Sequence, residues 1–154
     1  MKDPIVAMAR PADLPHIQKL IQALSAYHGD TAQVSLEWLQ RMFFDEEDRA
    51  TAFVARDGTR LVGYAGVTHK IVLHSGRERF DIQHLYIIEA WRGRGVGKAL
   101  IEAARQFAQA RGATGLTIGT DPANTAAQAA YLAMGMEDIT TGNPRFWLPV
   151  AQSA

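Results

Sequence analysis

The sequence predicts an α/β fold of the α+β kind, a mixed sheet of about seven strands covered by four helices. Three observations carry this. Strand-like runs meet at Asp57-Gly58 and Ser75-Gly76, dipeptides that suit tight turns and make consecutive strands antiparallel. Four stretches repeat apolar residues at helical spacing. One strand runs straight into a glycine-rich turn that opens a helix, a unit that needs a right-handed crossover to a parallel strand. The expected order is strand, two helices, three antiparallel strands, helix, strand, helix, two strands.

Ile5 to Ala9 is a short apolar strand. Asp13 suits an N-cap with Pro15 in the first turn, and Ile17, Leu20, Ile21 and Leu24 fall at i, i+3, i+4 and i+7. That helix ends near Tyr27-His28-Gly29-Asp30. Ser35 caps a second helix with the stripe Leu36, Leu39, Met42 and Phe43, and Asp45-Glu46-Glu47-Asp48 reads as a solvated loop. Ala50 to Arg56, Arg60 to Thr68, Lys70 to His74 and Arg77 to Ile88 are the strand segments of two hairpins. Val96, Leu100, Ile101, Ala104, Phe107 and Ala108 mark the third helix, closed by Gly112. Thr114 to Thr120 is the next strand, stopped by Asp121-Pro122. Asn124 caps a fourth helix that carries Ala127, Ala130, Tyr131 and Met134 and closes at Gly135. Met136 to Ile139 and Arg145 to Val150 are the expected last strands.

At 154 residues the chain reads as one domain, 1–154, large enough to bury about 70% of its unfolded surface without staples. It has no cysteine, hence no thiol nucleophile, thiolate metal site or need of an oxidising compartment. Sixteen basic and sixteen acidic residues cancel, which argues against nucleic acid or an anionic membrane as partner. No signal-type run or apolar stretch of about 20 residues is present, so a cytoplasmic protein is expected.

The chemistry centres on Asp81 to Lys98, where a strand passes through Glu89-Ala90-Trp91 into Arg92-Gly93-Arg94-Gly95-Val96-Gly97-Lys98 and then into the third helix. The first-turn N–H groups of a helix lack internal partners, and the positive end of its dipole faces the same way. Glycines let the backbone come close or take positive φ, and Arg92, Arg94 and Lys98 add charge, so a phosphate or pyrophosphate is the expected ligand. Spacing narrows the choice. A Walker loop would need glycine at position 92 and a hydroxyl at 99, where Arg92 and Ala99 stand. The dinucleotide fingerprint would need glycine at 98 or 100, where Lys98 and Leu100 stand.

What remains, Arg92-x-x-Gly95-x-Gly97, resembles the [QR]-x-x-G-x-[GA] motif of the GNAT superfamily of N-acetyltransferases. About 30 residues on, Asn124-x-x-Ala127-x-x-x-Tyr131-x-x-x-Gly135-Met136 is similar to a second family segment, with Met136 where phenylalanine is usual. The element order resembles the GNAT-like acyl-CoA N-acyltransferase fold over nearly the whole chain. Leu24-Ser25-Ala26-Tyr27, Gln33-Val34 and Arg145-Phe146-Trp147 are similar to diamine (spermidine/spermine-type) and thialysine N-acetyltransferases.

The resemblance implies transfer of acetyl from acetyl-CoA, as co-substrate and without a metal, to a primary amine of a small molecule. It implies that Arg92, Gly93, Arg94, Gly95, Val96, Gly97 and Lys98 hold the pyrophosphate, that the backbone of Leu85, Tyr86 and Ile87 pairs with the pantetheine arm, and that Asn124 contacts the coenzyme. A free amine is almost wholly protonated at pH 7, so a proton must leave before attack. Tyr131 matches the family's tyrosine and is the candidate acid for the leaving thiolate. Diamine acetyltransferases carry a glutamate and an aspartate where this chain has Gln83 and His84. Gln83 cannot take a proton, whereas His84 can accept one or position a water, given a β-bulge that aims it correctly. Losing two carboxylates lowers the attraction for a dication and favours a mono-amine, an amino acid or another substrate with its own carboxylate. Tyr27, His28, Trp38, Phe80 and Trp147 are candidate pocket residues beside Gln83. The family analogy also allows a homodimer, through Phe43-Phe44 or Trp147. Two further readings stay open: a coenzyme-A-binding sensor module that has lost catalysis, and an acetyltransferase acting on protein N-termini or lysines.

Overall fold

In a computed structural model, residues 2–150 are described. They form two compact units, one ending at Gly119 and the other beginning at Thr120.

The first unit carries β1 (Ile5–Met8), α1 (Leu14–Tyr27), α2 (Leu36–Gln40), β2 (Thr51–Asp57), β3 (Arg60–Val72), β4 (Arg77–Ile87), α3 (Val96–Ala110) and β5 (Gly115–Ile118). The strands lie in the order β1-β2-β3-β4-β5, antiparallel up to β4 and parallel between β4 and β5. The one crossover is α3, the helix that follows the glycine loop. Among the described residues there are five strands, not seven. The segment Lys70 to His74 is no separate strand: β3 runs on to Val72, and a 3₁₀ turn at Leu73–Ser75 closes the hairpin.

Helices cover both faces of this sheet. The stripe of α1 packs as expected: Ile17, Leu20 and Ile21 join Leu14, Leu39, Ala52, Val54, Leu61 and Tyr64 in one core. The opposite layer is made by α3, whose Phe107 meets Phe53 and Phe80 edge-on at 5.6 and 5.2 Å between ring centres. Ser35 caps α2 through its hydroxyl, but α2 lasts only to Gln40 before a π-helical turn over Arg41–Asp45.

Asp13 is used differently from the N-cap role its sequence position suggests. Its carboxylate makes no cap to α1. It accepts two hydrogen bonds from Arg56, both 2.9 Å, and one from the Arg10 N–H at 2.8 Å. A bidentate guanidinium outcompetes a single amide for a carboxylate that is 3% exposed. The Arg56 hydrogen bonds hold the Asp13 carboxyl down at about 2, against the opposing cost of burial.

The second unit contains α4 (Thr125–Ala133), with Asn124 Oδ1 accepting from the Ala127 N–H at 3.1 Å and Gly135 at φ 88° past its end. The two strands expected after it are absent: residues 136–150 form no strand. Local chemistry competes with a ladder here. Asp138 Oδ1 accepts from the Thr140 N–H and hydroxyl at 2.9 and 2.6 Å, a turn-type arrangement, and Pro144 offers no backbone donor.

Candidate active site

The glycine loop is built from backbone. After β4, a 3₁₀ turn at Glu89–Trp91 leads to Gly93 and Gly95 at φ 73° and 83°, a left-handed region that side chains rarely adopt, and Gly95 stands at the N-cap of α3. Gly97 is helical instead. A Cβ there would lie 3.5 Å from Ile87 and 3.9 Å from Leu85, ordinary contact distances, so α3 would admit a methyl group at this position. Val96 is buried under the loop, which fixes the helix start against the sheet. The first-turn N–H groups of a helix have no partner within it, and the dipole's positive end faces the same way, an arrangement that suits an anion.

Two of the loop's cations, Arg92 and Arg94, are already engaged within the protein. Arg92 donates from Nε to the Ile87 carbonyl at 2.9 Å, and its guanidinium lies 5.7 and 5.5 Å from the ring centres of Tyr27 and Tyr86. Arg94 lies 5.3 Å from the Trp91 ring centre. Arg92 therefore ties the end of α1 to the end of β4, and the anion-binding potential rests mainly on main chain.

Upstream on β4 the ladder skips a residue. Gly66 pairs with His84 and Val67 with Ile82, which leaves Gln83 as the extra residue of a bulge. The bulge reverses the alternation of faces. Phe80 points to Phe107 of α3, whereas His84 faces the α1 side, with Tyr86 and Ile88 packed on the same core as Tyr64. Gln83 is exposed and donates to Thr68 Oγ1 at 2.9 Å.

His84 Nδ1 lies 3.4 Å from the hydroxyl of Tyr64. Burial pushes the His84 imidazole below its usual range, and the nearby charge of His28 acts in the same direction. Tyr64 is 2% exposed, and burial raises its phenol. Its ring lies along β3 over Gly66, where a Cβ would come within 2.5 Å of the hydroxyl oxygen. Sequence reasoning passed over Tyr64 and Gly66. An isolated glycine two residues from a tyrosine inside a strand is the signal that could have shown them.

Tyr27 is 67% exposed, stacked on Arg92 and edge-on to His28 at 5.4 Å. Trp38 and Trp147 are 47% and 88% exposed, and Trp147 lies in the strandless stretch of the second unit. Phe80 is a core residue on the α3 side, which removes it from a pocket on the His84 side. In the second unit, Tyr131 is half-buried on α4, and burial raises its phenol. Asn124 spends its side-chain oxygen on the cap, which leaves its amide NH₂ as the group able to meet a ligand. Among the described residues no three acidic or histidine side chains could hold a metal, and no helix is long and apolar enough to cross a membrane.

The sequence profile of the acetyltransferase (GNAT) family matches residues 17–136. The chain belongs to that family. The rat (Rattus norvegicus) N-acetyltransferase 8B is 32% identical over 111 residues, 71% of this chain and 47% of that protein. The chain thus spans about half the length of that relative. The bovine (Bos taurus) thialysine N-epsilon-acetyltransferase is 25% identical over 146 residues, covering 88% of this chain and 85% of that protein. A crystal structure described as a probable acetyltransferase shares the fold, with a TM-score of 0.79 at 19% identity over 97% of this chain and 99% of that one. The GNAT family uses acetyl-CoA as co-substrate, an acyl donor that carries a diphosphate.

Proposed function

We propose that this chain is an acetyl-CoA-dependent N-acetyltransferase whose acceptor is a primary amine of a small molecule, with residues 1–154 serving as one catalytic domain. The observation that carries the reading is the pair of left-handed glycines, 93 and 95, that opens the N-terminus of α3. Residues 92–98 hold the diphosphate through main chain, and the backbone of Leu85, Tyr86 and Ile87 receives the pantetheine arm. Acetyl-CoA supplies an activated acyl thioester. Asn124 offers its amide, and Tyr131 holds the proton destined for the leaving sulfur. Burial supports that role, since it keeps the phenol protonated until a developing thiolate requires the proton. His84 deals with the proton of the attacking amine, as acceptor or through a water it holds.

An amino acid or similar amine carrying its own carboxylate is the favoured acceptor. Gln83 and His84 bring no negative charge to attract a dication, and the bovine relative acts, by its name, on thialysine. Tyr27, Trp38 and Trp147 are assigned to the acceptor side.

The test is a panel of amines, amino acids, aminoglycosides and peptides with acetyl-CoA, read by thiol release, beside calorimetric titration with coenzyme A. Turnover of a small amine is expected, with Tyr131→Phe lowering kcat by about 10²- to 10⁴-fold. Full kcat in that variant would remove Tyr131 as the acid. Tight coenzyme binding without turnover across the panel would mark a sensor module instead, and activity on peptides alone would mark a protein acetyltransferase.

A further inference from the structure

The contact between Tyr64 and His84 bears on a question the family assignment leaves open: which nitrogen of His84 carries the proton. Resting on the reading of His84 as a site residue, we infer that the Tyr64 hydroxyl donates to Nδ1 of His84 and fixes the neutral imidazole as its Nε2–H form. His84 then acts as a hydrogen-bond donor that holds an oxygen, on water or on substrate, and does not itself take up the amine proton.

The geometry supports this direction of the bond. The Tyr64 ring is enclosed by the α1 core, and its hydroxyl has one hydrogen-bond partner among the described residues, His84 Nδ1 at 3.4 Å. A buried O–H without an acceptor forfeits its full hydration, whereas a phenol oxygen without a donor loses less. The phenol cannot swing away at no cost, because Gly66 lies beneath it and the neighbouring core residues surround it. With Nδ1 occupied as an acceptor, the single proton of a neutral imidazole sits on Nε2. That nitrogen makes no hydrogen bond to another described residue. The titratable groups that act on His84 are His28, at the end of α1, and Tyr64, on β3. Burial disfavours a positive ring, and the charge of His28 does the same. Tyr64 is thus a positioning residue that works through His84.

Nitrogen-15 NMR of the imidazoles in the full chain at neutral pH tests the assignment without any need for turnover. The expected spectrum has a protonated Nε2 and a pyridine-type Nδ1 at His84; the reverse pattern overturns the inference. In Tyr64→Phe the midpoint of the His84 titration should rise, since a donor to the neutral ring's lone pair has gone. A fall would mean that Tyr64 accepts from Nδ1–H, and no change would mean that the contact carries no weight. Either result overturns it. Gly66→Ala, which drives a methyl group into the hydroxyl, should reproduce the rise and guards against a folding defect in the first variant.

Kinetics give a second reading. Loss of one orienting hydrogen bond predicts a kcat decrease of roughly 3- to 10-fold in Tyr64→Phe with KM for acetyl-CoA unchanged. His84→Gln keeps an N–H donor and should retain most of the activity that His84→Ala loses. Equal losses in the two variants would make His84 a proton acceptor and overturn the inference. An undiminished His84→Ala would instead remove His84 from the site and so overturn the broader reading.

Discussion

The glycine loop and the bulge lie on the two sides of one strand's end, and they are built in opposite ways. The loop is made of backbone: two left-handed glycines and the unpaired first turn of α3 do the work, while Arg92 and Arg94 turn back onto Tyr27, Tyr86 and Trp91. The bulge site is made of side chains from β3 and β4, Tyr64 and His84, drawn together across 20 residues of sequence, with the charge of His28 acting on the imidazole from beyond α1. A backbone site tolerates changes in side chain but not in conformation. A side-chain site depends on every element that delivers a member.

The largest expected effect strikes the delivery of α1. Asp13 anchors its start and Tyr27-His28 its end, so Asp13→Ala should cost about 1.5–3 kcal/mol by removing the hydrogen bonds to Arg56, whose guanidinium is partly exposed and regains water, as measured by urea unfolding. The bulge should suffer first. His84 exchange broadening at denaturant levels that leave coenzyme affinity intact would sharpen the contrast between the two regions, and simultaneous loss of both would break it. The same pair sets an acid limit. The folded-state pKa of Asp13 is depressed to about 2, below an unfolded value near 3.8, so its contribution is present above about pH 4 and disappears as pH falls towards 2. Asp13→Asn should flatten that dependence in thermal melts.

Next comes the loop itself. Gly95→Val places a β-branched residue at φ 83°, a strain of about 1–3 kcal/mol, and should weaken coenzyme A binding roughly 5- to 150-fold in calorimetry. Unchanged affinity would show that the loop does not grip through its backbone. The smallest effect is expected at Gln83. Its exposed hydrogen bond to Thr68 makes Gln83→Ala worth about 0.5 kcal/mol or less, with kcat nearly unchanged. A large kcat loss there would mean that the surplus residue of the bulge itself takes part in the chemistry.

The same contrast explains how much could be read from the residues alone. The loop, the apolar stripes of α1 and α3 and the Asn124 cap were legible because each depends on neighbours within a few positions. The Asp13–Arg56 pair was not, since its partners stand 43 residues apart and the local pattern pointed to a cap. The bulge could be supposed but not located by periodicity, because pairing with Gly66 and Val67 on another strand decides where the ladder slips. Tyr64 carries no signal of its own within the segment Arg60 to Thr68, and only the fold brings its hydroxyl to His84. The last two expected strands, Met136 to Ile139 and Arg145 to Val150, do not form, since the Asp138–Thr140 turn and Pro144 act against pairing.

The reversal of faces at Gln83 also governs what kinds of change β4 can absorb. Point substitutions on its exposed positions leave the phase of the strand intact. Deleting one residue between Ile82 and His84 would restore regular alternation, so the two faces could no longer both be correct: with the Phe80 half held in place, the imidazole would turn into the layer beneath α3. Strand length is thus a coding element here in its own right, and single-residue indels in this segment should be far less tolerated than those in the surrounding turns.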